Sequence, residues 1–224
     1  MPCLNLNYQS ARGRMKPGDV LAFGGKGEFS HLIKWATHGP VSHVGVILQS
    51  QIRLDKEPTA TDKDARFFNL LIESTSLNGF AGVTINRLSE RIDAYDGEVF
   101  WLPLSDEIRG RLDLKLFYDW LLNTAGREYD TPQALKSAID ILDKIPLIGG
   151  LTHNKEDFRK FFCSELVAAG LEVAGAVGSL NASEVTPMNL CQFNIYQPDY
   201  YRLKGDPDKR IKNFNRLNPE GWGE

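Results

Sequence analysis

The dominant period of the hydrophobic pattern changes near residue 105 of this chain. Before that point, short apolar segments stand between turn residues, which is typical of β-strands. The predicted strands are Asp19–Phe23, "SHVGVIL", "FFNLLIES", "GVTINRL" and "EVFWLPL", with one helix in "GEFSHLIKWATHG". After residue 105, apolar residues recur every three to four positions, as in amphipathic helices. This order predicts an α+β fold, in which helices pack beside a small, mostly antiparallel sheet.

The second half of the chain begins with a predicted helix over Asp106–Thr124. "TPQALKSAIDILDKIP" predicts another, with Thr131 as its N-cap and Pro132 in its first turn. A third helix contains Cys163, "VTPMNL" predicts a short fourth one, and "FNIYQPDYYRL" predicts a late strand broken by Pro198.

Composition narrows the class of protein. A net charge of -3, from 26 basic and 29 acidic residues, gives no basic excess and argues against a nucleic-acid partner. Three cysteines do not make a disulfide framework, which indicates a reducing setting. Four histidines, no two of them at ligand spacing, predict no metal site, and we expect no cofactor.

The hydrophobic pattern also bears on targeting. The N-terminal segment has no apolar run long enough for a secretory signal. No segment approaches the roughly 18 apolar residues of a spanning helix, so we expect no transmembrane segment. We therefore expect synthesis in the cytoplasm without a Sec signal, and a non-Sec route if the substrate lies outside.

Cys163 stands at the start of the apolar, Ala-rich helical pattern "FFCSELVAAGLEVAG". Near a helix N-terminus, the helix dipole and backbone N–H groups favour the reactive thiolate and can stabilise an oxyanion. A cysteine at such a position can equally be a small buried core residue. Position alone leaves both interpretations open.

Two further residues could complete a nucleophilic site. His43 begins a strand, on the face opposite Val44 and Val46, and an imidazole can accept the proton of a thiol. Glu73 lies in the next predicted strand, where a carboxylate could orient that ring. The ordinary alternatives are a structural histidine and a solvated glutamate.

The ordered series "KPGDVLAF", "SHVGVIL", "LLIES" with "GVTINRL", "GREYD", "FFCSELV" and "VTPMNL" resembles a known family. This family is the permuted branch of the NlpC/p60-like papain-fold hydrolases, the YiiX/YebB-like group, which is related to the lecithin:retinol acyltransferases. His43 precedes Cys163, as the permuted branch requires. The resemblance covers about residues 16–204. It implies a single circularly permuted papain-like catalytic domain over residues 1–224, with residues 205–224 as a C-terminal tail that wraps the surface.

The resemblance also assigns roles to individual residues. Cys163 would be the nucleophile, His43 the base and Glu73 the polar third residue. Tyr129 of "GREYD" matches a family tyrosine near the site, and we assign it to substrate binding. The serines that adjoin the catalytic pair, Ser42 and Ser164, are assigned to substrate binding as well.

One motif departs from the family pattern. In "VTPMNL", Thr186 replaces the usual serine and Asn189 the usual aspartate. We interpret this motif as a helix cap, so the change does not affect the predicted chemistry.

The shared chemistry of the group is attack on a carbonyl through a thioacyl-enzyme. We predict a cysteine hydrolase that cleaves an amide of bacterial cell-wall peptides. The first alternative is a lipid acyl hydrolase or acyltransferase, with Leu147 and Ile148 of the apolar "IPLIGGL" lining an acyl pocket or contacting a membrane surface. That segment could also be an ordinary core helix and turn. The second alternative is a non-catalytic binding or structural module of a phage or secretion particle.

Overall fold

The computed structural model describes residues 3–25, 39–53, 67–77, 80–126 and 162–223. Within these residues there are seven strands and six α-helices. The strands are β1 (Cys3–Asn5), β2 (Val20–Gly25), β3 (His43–Arg53), β4 (Phe67–Leu77), β5 (Phe80–Arg87), β6 (Gly97–Leu102) and β7 (Tyr200–Lys204). The helices are α1 (Tyr8–Ala11), α2 (Leu88–Ala94), α3 (Asp106–Arg111), α4 (Leu114–Thr124), α5 (Phe162–Val173) and α6 (Pro187–Gln192).

All seven strands form one sheet, in the order β1-β7-β6-β2-β3-β4-β5. Every neighbouring pair is antiparallel except β1 and β7, which are parallel. The α+β class and the mostly antiparallel sheet are therefore confirmed. The sheet is larger than predicted, because the N-terminal segment Cys3–Asn5 pairs with β7 from the far end of the chain.

The alternation predicted for β3 determines which side chains face each layer. Val44, Val46 and Leu48 belong to a core cluster that also contains side chains of α4, α5 and α6. Ile47 belongs to a second cluster with side chains of α1 and α2. Helices thus pack on both faces of the sheet, with the longer ones, α4 and α5, on one face.

The predicted helix Asp106–Thr124 is two helices, α3 and α4. The chain leaves the helical conformation at Leu112, whose ψ is 108°. Asp113 then caps α4, because its side chain accepts hydrogen bonds from the N–H groups of Lys115 and Leu116. The prediction was wrong here because the break is made by an N-cap aspartate rather than by glycine or proline.

The helix cap predicted in "VTPMNL" is confirmed. Thr186 accepts from the Asn189 N–H, and the Asn189 side chain accepts from the Thr186 N–H, which makes a capping box before α6. In the tail, Ile211 and Phe214 are buried against the core.

Some predicted elements cannot be compared with the structure. The helices expected in "GEFSHLIKWATHG" and "TPQALKSAIDILDKIP" lie outside the described residues. None of the described helices has the length and apolar character needed to cross a membrane.

Candidate active site

His43 and Cys163 both stand where a structural element begins. His43 is the first residue of β3, and Cys163 is the second residue of α5, which packs against β3 and β4. Their side chains are buried and joined by a hydrogen bond. The fold therefore brings the predicted nucleophile and base together from segments that are 120 positions apart in the chain.

Glu73 binds the other side of the imidazole. The distance from His43 Nε2 to Glu73 Oε2 is 2.6 Å, which leaves the Nδ1 side of the ring for the sulfur. Val46 pairs with Ile72, so Glu73 lies beside Gly45. A Cβ on Gly45 would lie 3.0 Å from the Glu73 Cβ. The missing side chain leaves room for the carboxylate to reach His43 diagonally across the two strands.

The second carboxylate oxygen of Glu73 has two donors. Arg91 of α2 donates through Nε at 2.6 Å, and Asn86 of β5 donates through Nδ2 at 3.1 Å. Glu73 has no solvent exposure, so a charge there must be compensated by such partners. The four ionisable side chains form a series: Arg91, Glu73, His43 and Cys163.

The charges in this series shift the pKa values of its members. Burial alone would lower the pKa of His43, but the Cys163 sulfur and the Glu73 carboxylate outweigh it and raise that pKa to about 9. Burial would raise the pKa of Glu73, but His43 and Arg91 outweigh it and lower that pKa to about 2. Near neutral pH the site therefore favours a carboxylate and an imidazolium that faces the sulfur.

Aromatic side chains enclose the charged groups. The Arg91 guanidinium lies 5.1 Å from the ring centre of Phe23 and 4.9 Å from that of Tyr95. Phe23 in turn lies 5.4 Å from the His43 ring. The Tyr95 hydroxyl is hydrogen-bonded to Ser42, and burial raises the pKa of Tyr95 to about 12, so the phenol stays neutral.

The remaining predicted residues differ in their placement. Ser42 is buried next to His43, in contact with Tyr95. Ser164 is also buried, and its hydroxyl donates to the carbonyl of Val185. The predicted substrate-binding residues Tyr129, Leu147 and Ile148 lie outside the described residues.

The three cysteines, all among the described residues, form no disulfide. Cys191 is buried, and both burial and the nearby Cys163 raise the pKa of its thiol, which keeps it protonated. Cys3 is partly exposed at the sheet edge, where Arg202 donates to its sulfur. Among the described residues, there is no group of three or more His, Cys, Asp or Glu side chains that could hold a metal ion.

Three residues of the site were missed from the sequence: Asn86, Arg91 and Tyr95. A sequence signal for two of them exists in α2 and the residue that follows it. Leu88, Ile92 and Tyr95 recur at helical spacing, and Arg91 lies on the same stripe. A charged residue inside an apolar stripe must find a buried partner, and Glu73 is that partner.

Neither a scan of protein-family models nor a search of curated proteins finds a match to this chain. The family resemblance therefore stays a prediction. Any function has to be inferred from the geometry of the site.

Proposed function

We propose that this protein is a cysteine hydrolase with a permuted papain-like fold, which cleaves an amide bond through a thioacyl-enzyme intermediate. The observation that carries the proposal is the buried contact of 2.6 Å between His43 Nε2 and Glu73 Oε2, with the Cys163 side chain hydrogen-bonded to the same ring. A nucleophile, a base and a group that orients the base are the three parts of such a site.

In the first half of the reaction, the Cys163 sulfur attacks the carbonyl carbon and forms an S–C bond. The first turn of α5 carries N–H groups directed toward its N-terminus, where they can stabilise the oxyanion. His43 then gives its proton to the leaving nitrogen as the C–N bond breaks. The amine departs, and the acyl group remains on sulfur as a thioester.

In the second half, neutral His43 accepts a proton from water as the water oxygen attacks the thioester. The C–S bond breaks, the carboxylic acid leaves, and the sulfur and the imidazolium return to their starting state. Glu73 accepts a hydrogen bond from Nε2–H throughout, which fixes the ring and stabilises its charged form.

For the substrate, we propose peptide-like amides of the bacterial cell wall. The lipid alternative depends on the apolar "IPLIGGL" segment, which lies outside the described residues. The amide is proposed because of the broader hydrolase kinship of the group that the sequence resembles, and experiment decides between the two bonds.

Intact mass spectrometry tests this function. The protein is incubated separately with peptidoglycan fragments and with phospholipid vesicles, and hydrolysis products and acyl adducts are measured. We expect cleavage of the peptide pool, with an adduct that is lost in Cys163→Ala and retained in the matched control Cys191→Ala. An adduct from phospholipid alone would contradict the amide assignment. Equal cleavage by Cys163→Ala and the parent would contradict the whole proposal.

A further inference from the structure

Arg91 is held from several directions within the site. Its Nε donates to Glu73 Oε1 at 2.6 Å, and only 9% of its side chain is exposed. The rings of Phe23 and Tyr95 both lie about 5 Å from the guanidinium carbon, at distances typical of cation–π contacts. An arginine in this setting has one charge state and little freedom to move away.

The helix that carries Arg91 is itself fixed at its end. Lys204 of β7 donates through Nζ to the carbonyl oxygens of Ile92, Asp93 and Tyr95, at 2.6 to 3.1 Å. These carbonyls lie at the C-terminal end of α2, and that of Ile92 also accepts from the Tyr95 N–H. The cap holds Tyr95 and the last turn of α2 against the sheet, and with them Arg91.

The proposed reaction places a specific demand on Glu73. His43 is an imidazolium at rest and becomes neutral once it has protonated the leaving group. At that point Glu73 loses one of its two cationic partners while its carboxylate stays fully buried. A buried carboxylate without a counter-charge is costly and would hold the proton on the imidazole.

We propose that Arg91 is a positioning residue of this site, a fixed counter-charge that lets His43 release its proton without leaving Glu73 uncompensated. This inference rests on the proposed function and extends it to the step in which the thioacyl-enzyme is hydrolysed. Glu73 then serves as a hydrogen-bond acceptor that keeps one counter-charge in both halves of the reaction.

The ionisable groups around the His43–Glu73 pair come from two sides of the described structure. Arg91 and Tyr95 face it from α2 and the residue that follows, and Cys163 faces it from α5. Arg91 is the permanent cation among them. Without the charge of Arg91, the pKa of the His43–Glu73 pair should rise. Neither Tyr95 nor Cys163 can carry a positive charge that would offset the carboxylate.

The titration of His43 tests the proposal without any need for turnover. It is followed by NMR in a Cys163→Ala background, which removes the sulfur from the neighbourhood of the ring. We expect Arg91→Met to move the midpoint upward by about one pH unit, the low end of the effect of a nearby charge. Arg91→Lys keeps the charge and should stay close to the parent. Arg109→Met, which breaks the Arg109–Asp19 pair elsewhere in the fold, is the matched control and should leave the midpoint unchanged.

Turnover supplies the second measurement, in variants with Cys163 intact. If the midpoint lies about one pH unit higher, only about a tenth as much neutral imidazole is present at a given pH below it. Hydrolysis of the thioacyl-enzyme by Arg91→Met should therefore slow about tenfold. The rate of this step, measured as the decay of the acyl adduct, should recover at higher pH, and Arg91→Lys should restore it.

The outcomes separate this inference from the function on which it rests. A change in the midpoint without turnover in the parent would support the role of Arg91 and overturn the proposed hydrolysis. An unmoved midpoint in folded Arg91→Met would overturn the role of Arg91. Arg91→Gln is the second neutral variant, and if neither neutral variant folds, Arg91 is a structural residue and the proposal fails.

Discussion

Two buried carboxylates, Glu73 and Asp19, lie toward opposite ends of β2 and have different surroundings. Glu73 contacts His43, which pairs with Phe23 near the end of β2. Asp19 directly precedes the first residue of β2. Both side chains are almost fully buried, and each binds an arginine, Arg91 for Glu73 and Arg109 for Asp19.

The other partners of the two carboxylates differ. Besides Arg109, Asp19 accepts from neutral donors, the N–H groups of Lys16 and Leu104 and the indole of Trp101, at 2.9 to 3.0 Å. Burial raises the pKa of Asp19 in spite of these partners. Glu73 has His43 as a second cation, and its pKa is lowered to about 2.

The difference indicates what each group does. Neutral donors fix the position of Asp19 and join the start of β2 to the segment after β6, which is a structural task. Two cations keep Glu73 ionised, and one of them contacts a thiol. Burial and an arginine are therefore common to both carboxylates. Contact with a titratable side chain sets Glu73 apart, and the proposed function depends on that contact.

Removing the reactive groups should give the largest effect. Cys163→Ala should abolish turnover, and His43→Ala should lower it by about 100-fold or more, as expected for a general base. Asp19→Asn should leave turnover per folded molecule unchanged. Leaving donors around residue 19 unsatisfied should lower the free energy of unfolding by about 1 to 3 kcal/mol. Amide hydrolysis rates and urea unfolding of all three variants test the comparison. A loss of turnover in folded Asp19→Asn equal to that in His43→Ala would break it.

Glu73→Gln should have the next largest effect. The amide keeps the shape and a hydrogen-bond acceptor but loses the charge that helps to raise the pKa of His43 to about 9. Turnover should fall by about 10- to 100-fold in a folded protein. The alkaline fall in kcat/KM, where His43 of the free enzyme loses the proton that it gives to the leaving group, should move to lower pH. A pH–rate profile measures this, with Asp19→Asn as the control whose profile keeps the parental midpoint. An unchanged midpoint in Glu73→Gln would mean that Glu73 does not act on His43.

Local patterns in the sequence predicted a good part of this site. The alternation in "SHVGVIL" correctly predicted the two faces of β3, and Cys163, His43 and Glu73 were all identified before their proximity was known. Each lies in a motif with a local signature, either at the start of a helix or in a strand. The roles assigned to them remain proposals.

Local sequence patterns could not predict the long-range contacts of the fold. The pairing of β1 with β7 joins the two ends of the chain, and no local period reports it. Arg91 was missed because α2 has only seven residues, too few to show its stripe clearly. The break at Leu112 was missed because Leu112, Leu116 and Trp120 keep helical spacing across it.

Glu73 and Asp19 should change the free energy of unfolding in opposite directions as the pH rises. The folded-state pKa of Glu73 is lowered from 4.5 to about 2, so its stabilisation is present above pH 4.5 and is lost as the pH falls toward 2. The pKa of Asp19 is raised, so its contribution is lost as the pH rises through its folded-state value. The pKa of His43 is raised from 6.5 to about 9, so His43 stabilises fully below pH 6.5 and ceases to do so above pH 9.

These pKa values give a measurable prediction for acid unfolding. Between neutral pH and about pH 3, the parent should lose up to about 2 kcal/mol of stability through Glu73, which Glu73→Gln should not lose. Urea unfolding at several pH values measures both proteins. Parallel stability curves for the two proteins would show that Glu73 carries no depressed pKa.

Substitutions at two glycines, one beside Glu73 and one beside Arg109, should have the smallest effects on stability and turnover. At Gly45, a Cβ would lie 3.0 Å from both the Glu73 Cβ and the Leu71 Cδ1, and 3.1 Å from the Ile72 carbonyl oxygen. Strand backbone cannot yield as a flexible side chain does, so Gly45→Ala should lower the free energy of unfolding by about 1 to 3 kcal/mol. Because the new methyl presses on Glu73, turnover should fall as well, and the alkaline limb of activity should move toward that of Glu73→Gln. Gly110 lies in α3, next to Arg109, and a Cβ there would meet nothing within 4 Å. Gly110→Ala should therefore stabilise the protein by about 0.5 to 1 kcal/mol through helix propensity, with turnover unchanged. If Gly45→Ala lost stability but kept the parental rate and pH profile, the contact between Gly45 and Glu73 would matter for packing alone.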